Sequence, residues 1–361
     1  MLLWIFSVFC AKTPNILRYI TFRTSAALVT AFLISFFCGP AFIRSVKRLQ
    51  KEGQPIRSDN GLDRHFWEKK GTPTMGGALL LIALLASTAL WANWHNLAVW
   101  LVLGVTVGYG GIGFVDDFLK LARNDPKGLR GTYKLLLQSG IALAAVYGAQ
   151  GLWPESVASH VAFPFFKNLA LDLCWAFPLF AAFVIVGSSN AVNLTDGLDG
   201  LAIVPVIIGT ACFGLISYLV GHAKFSLYLH IAFVPGVGEL CILCGALIGA
   251  SLGFLWYNAP PAMIFMGDTG SLALGGAIGM TSVLVKHEIV LAIIGGLFVI
   301  EAVSVILQVG YFKLTGKRIF LMSPIHHHFE KKGWEEPTIV VRFWIISVMF
   351  ALAGLSTLKL R

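Results

Sequence analysis

The 361-residue sequence has few charged residues. Asp, Glu, Lys and Arg make up 12% of the chain, whereas soluble domains typically contain about one quarter. Apolar residues account for 57%, and the mean hydropathy is +0.79. This shortage of charge excludes an ordinary soluble protein and predicts a polytopic membrane protein.

Other signals are also missing. The first ten residues lack a basic leader and an evident small-residue cleavage site, so we expect no removed signal peptide. Cys241 and Cys244, the only close pair among six cysteines, lie inside an apolar run without a nearby His, so packing explains them better than zinc binding. We find no internal repeat, which disfavours a transporter built from repeated halves.

Ten apolar runs predict about ten membrane-spanning helices, because a helical span needs roughly 20 apolar residues. We therefore predict an all-α fold, with a single integral membrane domain over residues 1–361 and no room for a separate soluble domain. The runs lie near residues 24–43, 75–92, 97–115, 135–149, 169–187, 200–221, 240–257, 270–285, 288–312 and 338–357.

The basic residues predict the orientation in the membrane. Loops after the odd-numbered runs carry 19 of the 27 Lys and Arg residues, in 44–70, 120–134 and 313–342. Loops after the even-numbered runs contain only three basic residues, Lys167, Lys224 and Lys286. The positive-inside rule therefore predicts cytoplasmic odd loops and two periplasmic termini.

A polar stretch separates the fifth and sixth runs. Its carboxylates have no Lys or Arg between residues 187 and 201 to neutralise them, so they call for a cation or a polar ligand. Alternatively, Asp196 caps the next helix and Asp199 occupies its first turn. We favour a ligand site, because helix capping does not require so many polar side chains, which are Asn190, Asn193, Thr195, Asp196 and Asp199.

An acidic pair, Asp116 and Asp117, ends the third run. Adjacent carboxylates repel each other, so either one retains a proton or a cation lies between them. They are candidates for a metal ligand and a general base, unless they only form a solvated helix end. Lys120 and Lys134, nearest the span ends, are the better candidates for binding phosphate in a loop whose basic residues otherwise fit the positive-inside pattern.

Two further odd loops carry candidate residues. Asp268 opens the eighth run between glycines and fits either a ligand or a helix N-cap, and Phe265 fits either base stacking or core packing. His326, His327 and His328 are consecutive, so they cannot all face one ion on a helix. We favour hydrogen bonds to phosphate or sugar oxygens over a surface tract, with metal binding the weakest alternative. Because every candidate follows an odd run, we predict one active site on the cytoplasmic loops.

Five motifs together resemble the phospho-N-acetylmuramoyl-pentapeptide transferases of the polyprenyl-phosphate N-acetylhexosamine-1-phosphate transferase superfamily. Each short motif is weak alone, but their order on these loops is specific and covers essentially the whole chain. The motifs are GTPTMGG at 71–77, GFVDD at 113–117, NAVNLTDGLDG at 190–200, FMGD at 265–268 and PIHHH at 324–328.

The resemblance implies a magnesium-dependent enzyme of the bacterial cytoplasmic (inner) membrane. Its donor would be UDP-N-acetylmuramoyl-pentapeptide and its acceptor undecaprenyl phosphate, with UMP and lipid I as products. Membrane lipids would surround it, a homodimer is allowed, and we expect no nucleic-acid partner. The alternatives are a related polyprenyl-phosphate N-acetylglucosamine-1-phosphate transferase and, from another class, a nucleotide-sugar transporter.

The resemblance also implies residue roles. Asp268 would bind Mg²⁺, the Asp116–Asp117 pair would supply the base and the diphosphate site, Phe265 would stack on uracil, and the lysines would meet phosphates. The implied catalytic residues are Asp116, Asp117, Asp268, His326, His327 and His328. The implied substrate-binding residues are Lys70, Thr74, Lys120, Lys134, Asn190, Asn193, Asp196, Gly197, Leu198, Asp199, Asn258 and Phe265, of which Asn193 and Asp196 to Leu198 would hold the uridine.

Overall fold

The structure is a computed structural model that describes residues 15–50, 71–123, 128–166 and 169–359. Helices dominate this part of the chain, as the long apolar runs predict. The helices are α1 (Ile20–Leu49), α2 (Gly77–Trp91), α3 (Leu97–Arg123), α4 (Gly131–Ala149), α5 (Phe177–Thr195), α6 (Ile203–Val220), α7 (Ala223–Leu229), α8 (Leu240–Asn258), α9 (Gly267–Leu284), α10 (Glu288–Ile294), α11 (Gly296–Thr315), α12 (Ile325–Lys331) and α13 (Glu336–Ser356).

The helices confirm the prediction of an all-α polytopic membrane protein. Within the described residues, eight helices are long and apolar enough to cross a membrane. The second predicted span corresponds to α2, an apolar helix of 15 residues, and the eighth to α9, which is buried from Thr269 to Leu284. The ninth predicted span divides at Gly295 into α10 and α11.

The fifth predicted span has the wrong boundaries. The sequence predicts helix from residue 169, but Ala170–Asp172 (β2) pairs antiparallel with His160–Ala162 (β1), and α5 begins only at Phe177. The helix then continues to Thr195, through residues predicted as a polar loop. Polar side chains do not end α5, because those three or four residues apart face neighbouring helices and form hydrogen bonds there.

Helix α9 lies at the centre of the bundle and packs against α2, α3, α5 and α6. Its glycines allow this close approach: a Cβ at Gly275 would lie 2.6 Å from Ser189 Cα, and one at Gly279 would lie 2.9 Å from Ile185 Cα. Small residues play this role in membranes because lipid gives apolar helix faces little reason to associate. The packing brings the C-terminal ends of α3 and α5 to the N-terminus of α9.

Candidate active site

Three carboxylates meet where α3 ends and α9 begins. Asp116 and Asp117 lie near the end of α3, and Asp268 lies in the first turn of α9. Oxygens of the three carboxylates lie within 4.8 Å of one another, and the α3 pair is only 2% and 1% exposed. They meet because Gly113, one turn before Asp117, packs directly against the backbone of Asp268. The alternative of a solvated helix end for this pair is therefore wrong.

Two lysines partly neutralise these acids. Lys120 Nζ lies 2.6 Å from Asp116 Oδ2 and 3.3 Å from Asp268 Oδ2. Lys134 Nζ, from the first turn of α4, lies 2.6 Å from the same oxygen of Asp268. Buried carboxylates need such partners because an unpaired buried charge is costly. The two candidate phosphate ligands therefore lie directly beside the acidic cluster.

Asn193 connects α5 to the same cluster. Its Nδ2 donates to Asp268 Oδ1 at 2.9 Å and to Ser271 Oγ at 2.8 Å. One turn earlier, Asn190 donates to the fully buried side chain of Gln138. Gln138 and Ser271 are not among the predicted residues. A signal for Gln138 exists, because it interrupts an apolar run four residues after Lys134, on the same face of α4.

The segment between α5 and α6 is a turn held by hydrogen bonds to neighbouring elements. Asp196 is the C-cap of α5, whereas α6 begins at Ile203 after Ala202, so the N-cap alternative for Asp196 is wrong. The Asp199 side chain accepts a 3.0 Å hydrogen bond from Ala262 N, and its backbone N–H donates to Glu336 at 2.8 Å. Asp199 therefore ties the turn both to the α8–α9 connection and to α13.

Two more predicted binding residues support this turn. Asn258 accepts a hydrogen bond from Gly200 N at 3.1 Å and donates to Ile264 O at 2.9 Å. Leu198 is buried in an apolar cluster with residues of α13. In contrast, Gly197 is exposed and Asp196 is partly exposed. Burial raises the pKa of Asp196 well above its ordinary value, and neighbouring carboxylates raise it further.

The GTPTMGG segment runs beside Phe265. Phe265 N donates to Pro73 O at 2.9 Å, and Phe265 O accepts from Gly76 N at 2.8 Å. Thr74 is 1% exposed, and the Gln50 side chain binds both its N–H and its carbonyl. Phe265 is partly exposed. Lys70 lies outside the described residues.

The three histidines of α12 have three different partners. His326 is fully buried, with Nδ1 3.2 Å from Glu301 Oε1, and burial lowers its pKa. His327 pairs with Glu330 on its own helix. His328 Nδ1 accepts from Leu321 N at 3.1 Å.

The ring of His326 reaches the turn that follows α5. A Cβ at Gly197 would clash with Nε2 of His326, so that ring packs directly against Gly197. Since His327 pairs along α12 and His328 binds the preceding loop, the structure joins His326 to the predicted site more directly than its two neighbours.

An apolar groove of about 280 Å³ runs between α5 and α11. Its walls include Phe183 and Gly187 from α5, and Phe298 and Val303 from α11. Ala191, which also lines the groove, lies two residues before Asn193 on α5. The groove therefore reaches to one turn before the end of α5, on the side of the helix opposite Asn193.

A family model and two named proteins are similar to this chain. A family model described as glycosyl transferase family 4 matches residues 99–286. Proteins from Rhodopseudomonas palustris strains BisB18 and BisA53, both named phospho-N-acetylmuramoyl-pentapeptide-transferase, are each 60% identical, and the alignments cover 100% of both chains. The chain belongs to the phospho-N-acetylmuramoyl-pentapeptide transferase family.

The two similarities cover the site differently. The glycosyl transferase match contains the three carboxylates and both lysines, but it ends before α12. The full-length similarity to phospho-N-acetylmuramoyl-pentapeptide transferases also includes the histidine helix and α13, which brace the turn after α5. The resemblance predicted from five motifs is therefore confirmed.

Proposed function

We propose that this chain transfers phospho-N-acetylmuramoyl-pentapeptide from its UDP-linked donor to undecaprenyl phosphate, releasing UMP and forming lipid I. Its full-length similarity to named relatives supports this reaction. The structural observation that carries the proposal is the convergence of Asp116, Asp268, Lys120 and Lys134 at the ends of apolar helices. There a charged nucleotide and a lipid headgroup can meet.

Magnesium dependence is part of this proposal. Asp268 would hold the ion, because carboxylate oxygens are ligands that Mg²⁺ prefers. The space beside Asp268 suits a cation, because the Lys120 ammonium lies there between Oδ2 of Asp116 and Oδ2 of Asp268. Bound Mg²⁺ would neutralise charge on the donor diphosphate.

The chain's own residues would bind the phosphates, accept the proton and bind the nucleotide. Lys120 and Lys134 bind phosphate oxygens as point charges. Asp116 accepts a proton from the acceptor phosphate, which attacks the sugar-side phosphorus in line with the departing UMP. Asp196 would form hydrogen bonds with the uridine. Phe265, which is partly exposed, would stack on the uracil.

The groove between α5 and α11 suits the polyprenyl tail, because its lining is almost entirely apolar and it reaches to one turn before the end of α5. We place the protein in the bacterial inner membrane, with the site on the cytoplasmic side, both termini in the periplasm and residues 1–361 in a single domain. This orientation follows from the distribution of basic residues. A homodimer is compatible with the proposal.

Release of UMP tests the donor and the acceptor together. Purified protein is incubated with undecaprenyl phosphate and either UDP-N-acetylmuramoyl-pentapeptide or UDP-N-acetylglucosamine, with and without Mg²⁺. We expect UMP release only with the pentapeptide donor, the lipid and Mg²⁺ together. Faster release from UDP-N-acetylglucosamine would favour the related N-acetylglucosamine-1-phosphate transferase instead.

A further inference from the structure

We propose that Asp117 is a positioning residue: it caps the N-terminus of α9 from the neighbouring helix and thereby fixes Asp268, while Asp116 is the acid that faces the reacting groups. This division of roles within the acidic pair rests on the proposed function. Distance alone does not separate the two acids, because both lie in the same group of carboxylates. Their hydrogen-bond partners do.

The carboxylate of Asp117 is occupied by the start of α9. Its Oδ1 accepts a 3.2 Å hydrogen bond from Asp268 N. Its Oδ2 accepts from Thr269 N at 3.0 Å and from Thr269 Oγ1 at 2.7 Å. Two oxygens thus receive three hydrogen bonds from two consecutive residues, one of which is the candidate metal ligand.

Helix α9 needs this external cap. The first backbone N–H groups of a helix have no partner within it and are normally satisfied by a side-chain oxygen of the N-cap residue. The N-cap position of α9 is Met266, whose thioether is a weak acceptor at best. Because Thr269 is buried, its N–H cannot rely on water, and Asp117 supplies the missing oxygens.

The surroundings of Asp117 fit a structural cap better than a ligand site. Gly267 adopts a φ of +73°, and a Cβ there would lie 2.6 Å from Asp117 Oδ2 and 2.9 Å from Thr74 Oγ1. The chain therefore closes tightly over the side of Asp117 that faces Gly267. Exposure does not separate the two acids, since Asp116 is 2% and Asp117 1% exposed, so the distinction rests on this close packing and on the hydrogen-bond partners.

Asp116 has different partners. Its Oδ1 accepts from Leu129 N at 2.7 Å, but its Oδ2 faces the Lys120 ammonium at 2.6 Å. The same ammonium lies 3.3 Å from Asp268 Oδ2. The space where a cation is stabilised thus lies between Asp116 and Asp268, which leaves Asp117 to hold the backbone beneath it.

The test compares the two ends of the Asp117–Thr269 hydrogen bond. Asp117→Asn, Thr269→Val, Thr269→Ser and the double variant Asp117→Asn/Thr269→Val are purified with the parent. For each we measure the Mn²⁺ dissociation constant by electron paramagnetic resonance without substrate, kcat and KM for UMP release, and the melting temperature. Mn²⁺ binding reports on Asp268 without requiring turnover.

We expect Thr269→Ser to match the parent within about twofold, because its hydroxyl retains the hydrogen bond. Asp117→Asn should weaken Mn²⁺ binding and lower kcat by about fivefold, which is the size of a typical lost helix cap. Thr269→Val removes one of the three hydrogen bonds to Asp117 and should cause a smaller loss, of about threefold. The double variant should lose less than the product of the two single losses, because both substitutions disturb the hydrogen bond from the Thr269 hydroxyl to Asp117.

Any of three results would overturn the proposal. The first is a double variant whose loss equals the product of the single losses. The second is a Thr269→Val variant that resembles the parent while Asp117→Asn is inactive. The third is a lowered melting temperature with unchanged Mn²⁺ affinity and kcat, which would leave Asp117 with a purely structural role. If the parent released no UMP, the proposed function would fail, while the Mn²⁺ series would still test the cap.

Discussion

Lys134 Nζ lies 2.6 Å from Asp268 Oδ2, although 134 residues separate them in the chain. This pairing places a positive charge where donor phosphates would bind. We expect Lys134→Met to reduce kcat/KM for UMP release by about 10²-fold, the scale of losing one preorganised electrostatic contact. The matched control is Lys224→Met, because Lys224 is exposed on the short helix α7. Equal activity of the two variants would refute a role for Lys134.

The apolar groove can be tested at Gly187. Among the described residues, nothing lies within 4 Å of a Cβ at this groove-lining glycine, so a leucine would fill the groove without first creating a clash. We expect Gly187→Leu to raise KM for undecaprenyl phosphate by about tenfold, or roughly 1.4 kcal/mol, with little change in KM for the nucleotide donor.

The control for the groove is Gly310→Leu. Gly310 lies on α11 but outside the groove lining, and a Cβ there is equally free of described neighbours. This variant should keep the parent's KM for both substrates. If Gly187→Leu also left the lipid KM unchanged, the tail would bind elsewhere.

The buried imidazole of His326 predicts a pH dependence of stability. Burial disfavours its charged form and lowers its pKa below the usual value of about 6.5. Below that pH the unfolded chain binds a proton that the folded protein resists, so the free energy of unfolding falls as the medium is acidified. The parent's melting temperature should therefore drop between about pH 7.5 and 5.5.

Substitution isolates this contribution. His326→Gln should show a smaller acid-induced drop than the parent, whereas His222→Gln should behave like the parent because that ring is exposed. Identical pH profiles for all three proteins would show that His326 does not contribute. Activity is not needed for this measurement.

Far from the acidic cluster, a buried ion pair joins α1 to the start of α8. Arg23 Nη1 donates to Glu239 Oε2 at 2.8 Å, and the two side chains are only 5% and 13% exposed. We expect Arg23→Met to lower the free energy of unfolding by roughly 3–5 kcal/mol, because it leaves an uncompensated carboxylate. Arg23→Met/Glu239→Met should recover much of the loss in a denaturation experiment. A double variant less stable than Arg23→Met would contradict this reasoning.

The sequence predicts the helices well because lipid requires long apolar runs. It fails where apolar residues serve another purpose: Leu171 and Trp175 lie at the predicted start of a span but are exposed in or after the β-hairpin. It also fails at Asn190 and Asn193, which are polar yet helical, because their partners come from α4 and α9.

The site shows the same limit. The acids, lysines and amides can be recognised from motifs and from their position after odd-numbered runs. Which of these residues form pairs cannot be predicted from the sequence, because Lys120 and Asp268 meet only after α3 and α9 pack together. The sequence does not distinguish the roles of Asp116 and Asp117, because the difference depends on which backbone N–H groups donate hydrogen bonds to each carboxylate.

The most direct measurement is UMP release by the parent and by Asp268→Asn across a Mg²⁺ titration, with Asp172→Asn as an exposed carboxylate control on β2. We predict that the parent requires Mg²⁺, that Asp172→Asn behaves like it, and that Asp268→Asn loses on the order of 10²–10³-fold in kcat. Parent-like turnover by Asp268→Asn, or full activity of the parent in EDTA, would contradict a magnesium-dependent site built on Asp268.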